Sequence, residues 1–291
     1  MTIFKGAGTA LIMPFENGEV DLDAYGKLID FQLEKGINAL VVNGTTGEPT
    51  TMNHKERTAA LKLAIEKAKG KVPVIAGTGS NNTHTAIMYT REAKEMGADA
   101  ALIVTPYYNK CTQAGLIAHY RAIANAVDIP IVLYNVPSRT GLNMLPTTAL
   151  ELAKHKNIVA VKEASGRIDQ IMAIASGAPK GFSLYSGEDA LIYPLIACGG
   201  QGVISVASNI IPDYITQMVA KYFNGEHEKS RDMQYKLLPL VSALFSEVNP
   251  IPVKYAASLL GLCKNEMRLP LTPMENTDLV KQELKAFGLD V

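Results

Sequence analysis

Ala39-Leu40-Val41-Val42, followed by Asn43-Gly44-Thr45, is a short unbroken apolar run that stops at polar and glycine residues. A run that is apolar at every position, not at alternate ones, suits a strand buried on both faces, as parallel strands beneath helices are. Working outward, the same kind of run returns at Gly8–Phe15, Val72–Thr78, Ala101–Pro106, Ile129–Asn135, Ile158–Glu163, Phe182–Ser186 and Gly202–Ala207. Between the runs lie helical stretches. Asp21–Glu34 has Leu22, Tyr25, Leu28, Ile29 and Leu33 near the 3.6-residue period. Asn53-His54-Lys55-Glu56 has the form of a capping box, and Gly97 is placed to end the helix of Thr83–Met96.

Eight strand–helix units without a Pro- or Ser-rich linker predict an α/β protein, a (β/α)8 barrel. A doubly wound sheet is the alternative, but neither Gly6-Ala7-Gly8 nor Gly77-Thr78-Gly79 completes a dinucleotide fingerprint, and no Walker lysine follows Gly44. Beyond residue 210 the strands stop. Ile211–Asn224 closes the eighth unit, while Glu226–Val248, Pro252–Gly261 and Asn276–Phe287 read as surplus helices. The expected division is a catalytic barrel over 1–224 and a C-terminal helical extension over 225–291.

Composition narrows the partners. Lys+Arg and Asp+Glu both number 28, so no basic excess points to nucleic acid or an acidic membrane surface. No apolar stretch approaches the ~18 residues of a membrane span, and the N-terminus lacks a secretory pattern. Cys111, Cys198 and Cys263 are odd in number and widely spaced, and the five histidines are scattered. The expectation is a reduced, metal-free protein of the cytoplasm.

In such barrels the chemistry sits at the C-terminal ends of the strands. Lys162 ends the run Ile158-Val159-Ala160-Val161, which carries its amine into apolar surroundings. A free lysine of pKa ~10.4 is neutral about once in 2,500 molecules at pH 7. Desolvation lowers that pKa, and a neutral amine in a pocket is what imine formation with a ketone requires. The plain alternative is a lysine paired with Glu163 or another carboxylate. Tyr134 ends the preceding strand, a position from which a phenol can shuttle a proton, or simply fill the core. Thr45 and Thr46 precede Gly47 in a tight turn that can hold a small carboxylate or merely cap itself. Arg139, past Pro137, can clamp a carboxylate or lie in solvent.

Gly44-Thr45-Thr46-Gly47-Glu48, Tyr134-Asn135-Val136-Pro137-Ser138-Arg139-Thr140-Gly141 and Val161-Lys162-Glu163, in this order and each at a predicted strand end, resemble the 4-hydroxy-tetrahydrodipicolinate synthase family. The likeness extends through Asn249-Pro250-Ile251-Pro252-Val253-Lys254. It implies a class I aldolase reaction in which Lys162 forms an imine with pyruvate and the derived enamine attacks L-aspartate 4-semialdehyde. It implies Tyr134 as proton shuttle, linked through the Thr45 hydroxyl to Tyr108, which the family donates from a neighbouring subunit. By the same resemblance Thr46 holds the pyruvate carboxylate, Gly187 and Ile204 supply backbone near the imine, and no cofactor or metal is required. A homo-oligomer follows, at least a dimer, with a dimer of dimers expected.

Arg139 favours an acceptor with its own α-carboxylate over the polyhydroxylated aldehydes of the related sialic acid and sugar-acid aldolases, which remain the alternative. A keto-acid-binding barrel without turnover is a second. The family's lysine effector site is represented by His54, Asn81 and Tyr107. Thr85 stands where sensitive members carry a glutamate, and Arg57 where some carry histidine, so weak or absent lysine inhibition is expected.

Overall fold

The computed structural model describes residues 2–291. Its strands are β1 (Gly6–Ala10), β2 (Phe15–Glu16), β3 (Glu19–Val20), β4 (Ala39–Val42), β5 (Val74–Gly77), β6 (Ala100–Val104), β7 (Ile131–Asn135), β8 (Ile158–Glu163), β9 (Ser183–Ser186) and β10 (Gly202–Ser205). Eight of them close a parallel barrel in the order β1-β10-β9-β8-β7-β6-β5-β4, while β2 and β3 form a separate antiparallel hairpin. The helices are α1 (Leu22–Glu34), α2 (His54–Ala68), α3 (Thr83–Met96), α4 (Gln113–Ala126), α5 (Pro137–Thr140), α6 (Pro146–Leu152), α7 (Ile168–Gly177), α8 (Ile192–Ala197), α9 (Pro212–Phe223), α10 (His227–Leu244), α11 (Ile251–Leu259) and α12 (Asp278–Phe287). This is the (β/α)8 barrel that the repeated apolar runs foretell, with helices following it.

One compact unit contains Pro73–Ile204 with the N-terminal residues up to Gly6; the other contains Ala7–Val72 and Ser205–Val291. In the first, β6, β7 and β8 carry buried Ala101, Ile103, Ile131, Leu133, Ile158 and Val161 against Leu116, Tyr120 and Ile123 of α4 and Ile171 and Ile174 of α7. Burial of each large aliphatic stabilises by about 1.5–3 kcal/mol. The Tyr120 hydroxyl satisfies itself within that core by donating to the Ile103 carbonyl at 2.9 Å. Gly97 ends α3 with φ 96°, as its position foretells. Gly202 has φ 152°, and a Cβ there would lie 1.8 Å from the Gly6 carbonyl oxygen, so no other residue fits.

In the second unit, Asn53 and Glu56 complete the reciprocal capping box of α2. The first strand departs from expectation. It runs Gly6–Ala10, not Gly8–Phe15, because small residues form the ladder where an apolar-run criterion selects Leu11-Ile12-Met13. Leu11 N still donates to the Val41 carbonyl, but Ile12 N turns to Asn209 Oδ1 at 3.0 Å. Pro14-Phe15 is therefore not a barrel strand end, and Phe15 opens the hairpin. Among the described residues no helix is long and apolar enough to cross a membrane.

Candidate active site

Parallel pairing sets Tyr134 of β7 opposite Lys162 of β8, and Lys162 opposite Tyr185 of β9. Both Lys162 and Tyr134 are buried, at 5% and 6% exposure. The Lys162 ammonium nitrogen lies 4.3 Å from the centroid of the Tyr134 ring, where a cation is attracted to the π face. Lys162 has no carboxylate within salt-bridge distance among the described residues. The Tyr134 phenol likewise has no hydrogen-bond partner among them.

Glu163 is spoken for by neutral donors and does not pair with Lys162. Successive side chains on a strand point to opposite faces, so the two diverge. The Glu163 carboxylate receives Asn135 Nδ2 at 3.2 and 3.1 Å, Ser165 N at 2.8 Å and Gln170 Nε2 at 3.1 Å. Asn135 also donates to Asn143 Oδ1 at 2.9 Å and accepts from Met144 N at 2.9 Å. This amide cluster ties the ends of β7 and β8, and so the strands that carry Tyr134 and Lys162, to the residues after α5 and to α7. Gly187 N donates to the Glu163 carbonyl at 2.8 Å. A Cβ on Gly187 would stand 3.0 Å from Lys162 Cε and 2.7 Å from Ala164 Cβ, so the absent side chain leaves room for the lysine. Burial raises the neighbouring Glu188 carboxyl above the carboxylate range, and the charges of Glu163 and Asp189 add to it.

Arg139 is exposed on the short α5, which Gly141 ends with φ 67°. Ile204 is fully buried in β10. Tyr108 is 92% exposed and holds a left-handed backbone with φ 69°. That conformation is uncommon for a residue with a side chain and marks a position worth functional attention. Asn81 and Tyr107 are brought together: Asn81 Nδ2 donates to the Tyr107 carbonyl at 3.2 Å, and Asn109 Nδ2 donates to the Asn81 carbonyl at 2.9 Å. Thr85 lies in the first turn of α3.

In the other unit, Thr45, Thr46 and Gly47 form a single 3₁₀ turn closed by Gly47 N to the Gly44 carbonyl at 2.9 Å and Glu48 N to the Thr45 carbonyl at 3.2 Å. Thr46 is buried. The Thr45 hydroxyl has no hydrogen-bond partner among the described residues. His54 is the first residue of α2, and Arg57 follows within the same first turn.

The structure also holds a second buried lysine, to which no role follows from the motifs. Lys254 of α11 is fully buried and donates to Glu48 Oε1 at 2.7 Å. Burial pulls its ammonium below the usual lysine range, and Glu48 opposes that pull. Of these two lysines, Lys254 is paired with a carboxylate and Lys162, among the described residues, is not. The available signal was a lone charge inside Pro252-Val253-Lys254-Tyr255-Ala256, the same signal that marks Lys162. Among the described residues no group of three or more His, Cys, Asp or Glu converges as a metal site.

The dihydrodipicolinate synthetase family model matches residues 3–287. The 4-hydroxy-tetrahydrodipicolinate synthase of Alkaliphilus oremlandii is 52% identical over 279 residues, covering 96% of each chain. That of Thermoanaerobacter sp. strain X514 is 51% identical over 292 residues, covering 99% of this chain and 98% of its own. The crystal structure of dihydrodipicolinate synthase from Thermotoga maritima superposes with a TM-score of 0.97 at 47% identity, over 99% of each chain. The enzyme from Acinetobacter baumannii, complexed with pyruvate, gives 0.97 at 41% identity over 99% of this chain and 100% of its own. With half its residues shared across nearly its whole length, the chain belongs to the dihydrodipicolinate synthetase family.

Proposed function

We propose that the protein is a lyase that condenses pyruvate with L-aspartate 4-semialdehyde through a Schiff base, giving 4-hydroxy-tetrahydrodipicolinate for the diaminopimelate route to lysine. The observation that carries this reading is Lys162: buried, without a carboxylate partner, and 4.3 Å above the Tyr134 ring. Relatives of about half identity bearing that enzyme's name support the choice of substrates.

The Lys162 amine adds to the pyruvate ketone, and loss of water leaves an imine whose protonated form draws electrons from the methyl carbon. Tyr134 shuttles the protons of addition and dehydration. Release of a methyl proton gives the enamine, whose carbon attacks the aldehyde. The acceptor's own amine then displaces Lys162 by transimination, closing the ring and freeing the enzyme. Thr46 and its turn hold the pyruvate carboxylate, with Thr45 and Tyr108 extending the proton path from Tyr134. Gly187 and Ile204 supply backbone beside the imine.

Arg139 receives the acceptor's α-carboxylate in two places, a contact that a polyhydroxylated aldehyde would not reward. The exposed Tyr108, held in its left-handed backbone, fits a residue that completes the site of a second subunit. A homo-oligomer, at least a dimer and expected as a dimer of dimers, is therefore the working form, located in the cytoplasm. Thr85 and Arg57 remove a negative charge and add a positive one at the positions of a lysine effector, so free lysine inhibits weakly or not at all.

The test is a comparison of acceptors. With pyruvate saturating, aspartate semialdehyde should turn over at least a hundredfold faster than N-acetylmannosamine or glyceraldehyde. Arg139→Ala should lose most of the first activity while its imine with pyruvate still forms. Equal loss of both steps, or preference for a sugar aldehyde, would overturn the assignment.

A further inference from the structure

The Asn249–Lys254 motif takes no part in the chemistry above, yet two of its side chains end on one turn. Asn249 Nδ2 donates to Thr46 Oγ1 at 3.0 Å, and Lys254 Nζ donates to Glu48 Oε1 at 2.7 Å. We propose that this segment of the C-terminal extension is a positioning element for the Gly44–Glu48 turn, holding the threonine hydroxyls as a preformed seat for the pyruvate carboxylate. The proposal rests on the reading of that turn as the carboxylate site.

Three observations converge on it. The pair Lys254–Glu48 has side-chain exposures of 0% and 1%. Burying two charges costs more than their attraction commonly returns, so such a pair is a poor device for stability alone, whereas its directional contact fixes geometry. Lys254 is itself held in place, with its ammonium 4.3 Å from the Phe15 ring and its carbonyl accepting from Cys263 Sγ at 3.7 Å.

The second observation is the strain at the anchored residue. Glu48 holds φ 50° and ψ 42°, a left-handed backbone that a residue with a side chain keeps only where its surroundings enforce it. The grip of Lys254 on its carboxylate supplies that enforcement. The neighbouring Gly47 is equally constrained, since a Cβ there would come within 3.0 Å of the Leu11 carbonyl oxygen.

The third concerns the direction of a proton. A hydroxyl has one hydrogen to donate and lone pairs with which to accept. Because Asn249 fills an acceptor site on Thr46 Oγ1, the hydroxyl proton is left to point elsewhere, as a donor. An anion wants donors, so the amide of Asn249 turns Thr46 into a preoriented carboxylate ligand without touching substrate itself.

The experiment separates seat from scaffold by using two ketones. Pyruvate and its neutral methyl ester are each titrated against the full-length chain, with borohydride trapping of the Lys162 adduct as readout. Asn249→Ala should raise the pyruvate concentration for half-maximal trapping about tenfold and move the ester less than twofold. The double variant E48Q/K254M, which removes both charges together, should show the same selectivity and serves if Asn249→Ala does not fold. Lys254→Arg should restore most of the difference. Parallel loss for both ketones would reduce the segment to structural support and overturn the proposal, as would unchanged titrations. If the parent chain traps neither ketone at Lys162, the functional reading falls and this proposal with it; if it traps pyruvate but the variants show no carboxylate-selective loss, only this proposal falls.

Discussion

Replacing Gly187 by alanine puts a single methyl group against the Lys162 side chain. The new carbon would lie 2.7 Å from Ala164 Cβ, 3.0 Å from Lys162 Cε and 3.2 Å from the Glu163 carbonyl oxygen. Carbon atoms rest at about 3.5–4.0 Å, so the lysine terminus must retreat by roughly 0.5–1 Å. Ala164 is backbone-borne and yields less readily than a lysine chain. Overpacking of this kind costs about 1–3 kcal/mol, and a misplacement near 1 Å can slow a positioned reaction by about 10²-fold. The retreat would also disturb the 4.3 Å approach of the ammonium to the Tyr134 ring. Exchange of pyruvate methyl protons for deuterium, followed by proton NMR, reports enamine formation without any acceptor. Gly187→Ala should slow that exchange between ten- and a hundredfold while its thermal unfolding shifts modestly. Exchange at the parent rate in a folded variant would refute the claim that Gly187 is small to admit Lys162.

The two buried lysines should answer the same substitution in opposite ways. Lys254→Met strands Glu48 and should cost about 3–5 kcal/mol in urea unfolding, whereas Lys162→Met breaks no ion pair and should be neutral or stabilising while losing all proton exchange; equal destabilisation would mean that Lys162 has a partner after all. Acid should unmask a different pair. Arg268 donates to Glu56 at 2.9 and 2.7 Å and holds its carboxyl below the ordinary value of 4.5, with burial opposing. A carboxyl lowered by folding stabilises fully above its unfolded value and loses that contribution as pH falls through its folded one. The urea-stability gap between parent and Glu56→Gln should therefore be constant at neutral pH and close below about pH 4.5; a gap that persists unchanged at pH 2 would contradict the assignment.

What the sequence revealed, it revealed through local rules. The runs at Ala39, Ile131 and Ile158 announce buried strands because every residue in them is apolar, and the capping box of Asn53 and Glu56 is complete within four residues. The first barrel strand begins two residues before the apolar run does because Gly6 and Ala7 carry little apolar signal, and the close approach of Gly202 to the Gly6 backbone, which demands a glycine at 202, shows only in the fold. Lys162 and Tyr134 could be picked from their strand ends, and register then sets them opposite each other. The partners of Glu163 could not, since Asn135 and Gln170 reach it only after β7, β8 and α7 have packed. Long-range polar pairs were the hardest to foresee: Lys254 and Glu48 are 206 residues apart, and nothing in either neighbourhood names the other.

The central claim is that Lys162, and not the fully buried Lys254, is the amine that attacks the ketone. Incubation with pyruvate and borohydride, followed by peptide mass spectrometry, tests it directly. The account predicts one reduced pyruvate adduct per chain, on the peptide containing Lys162. Label on Lys254, or no label with pyruvate at saturation, would contradict it.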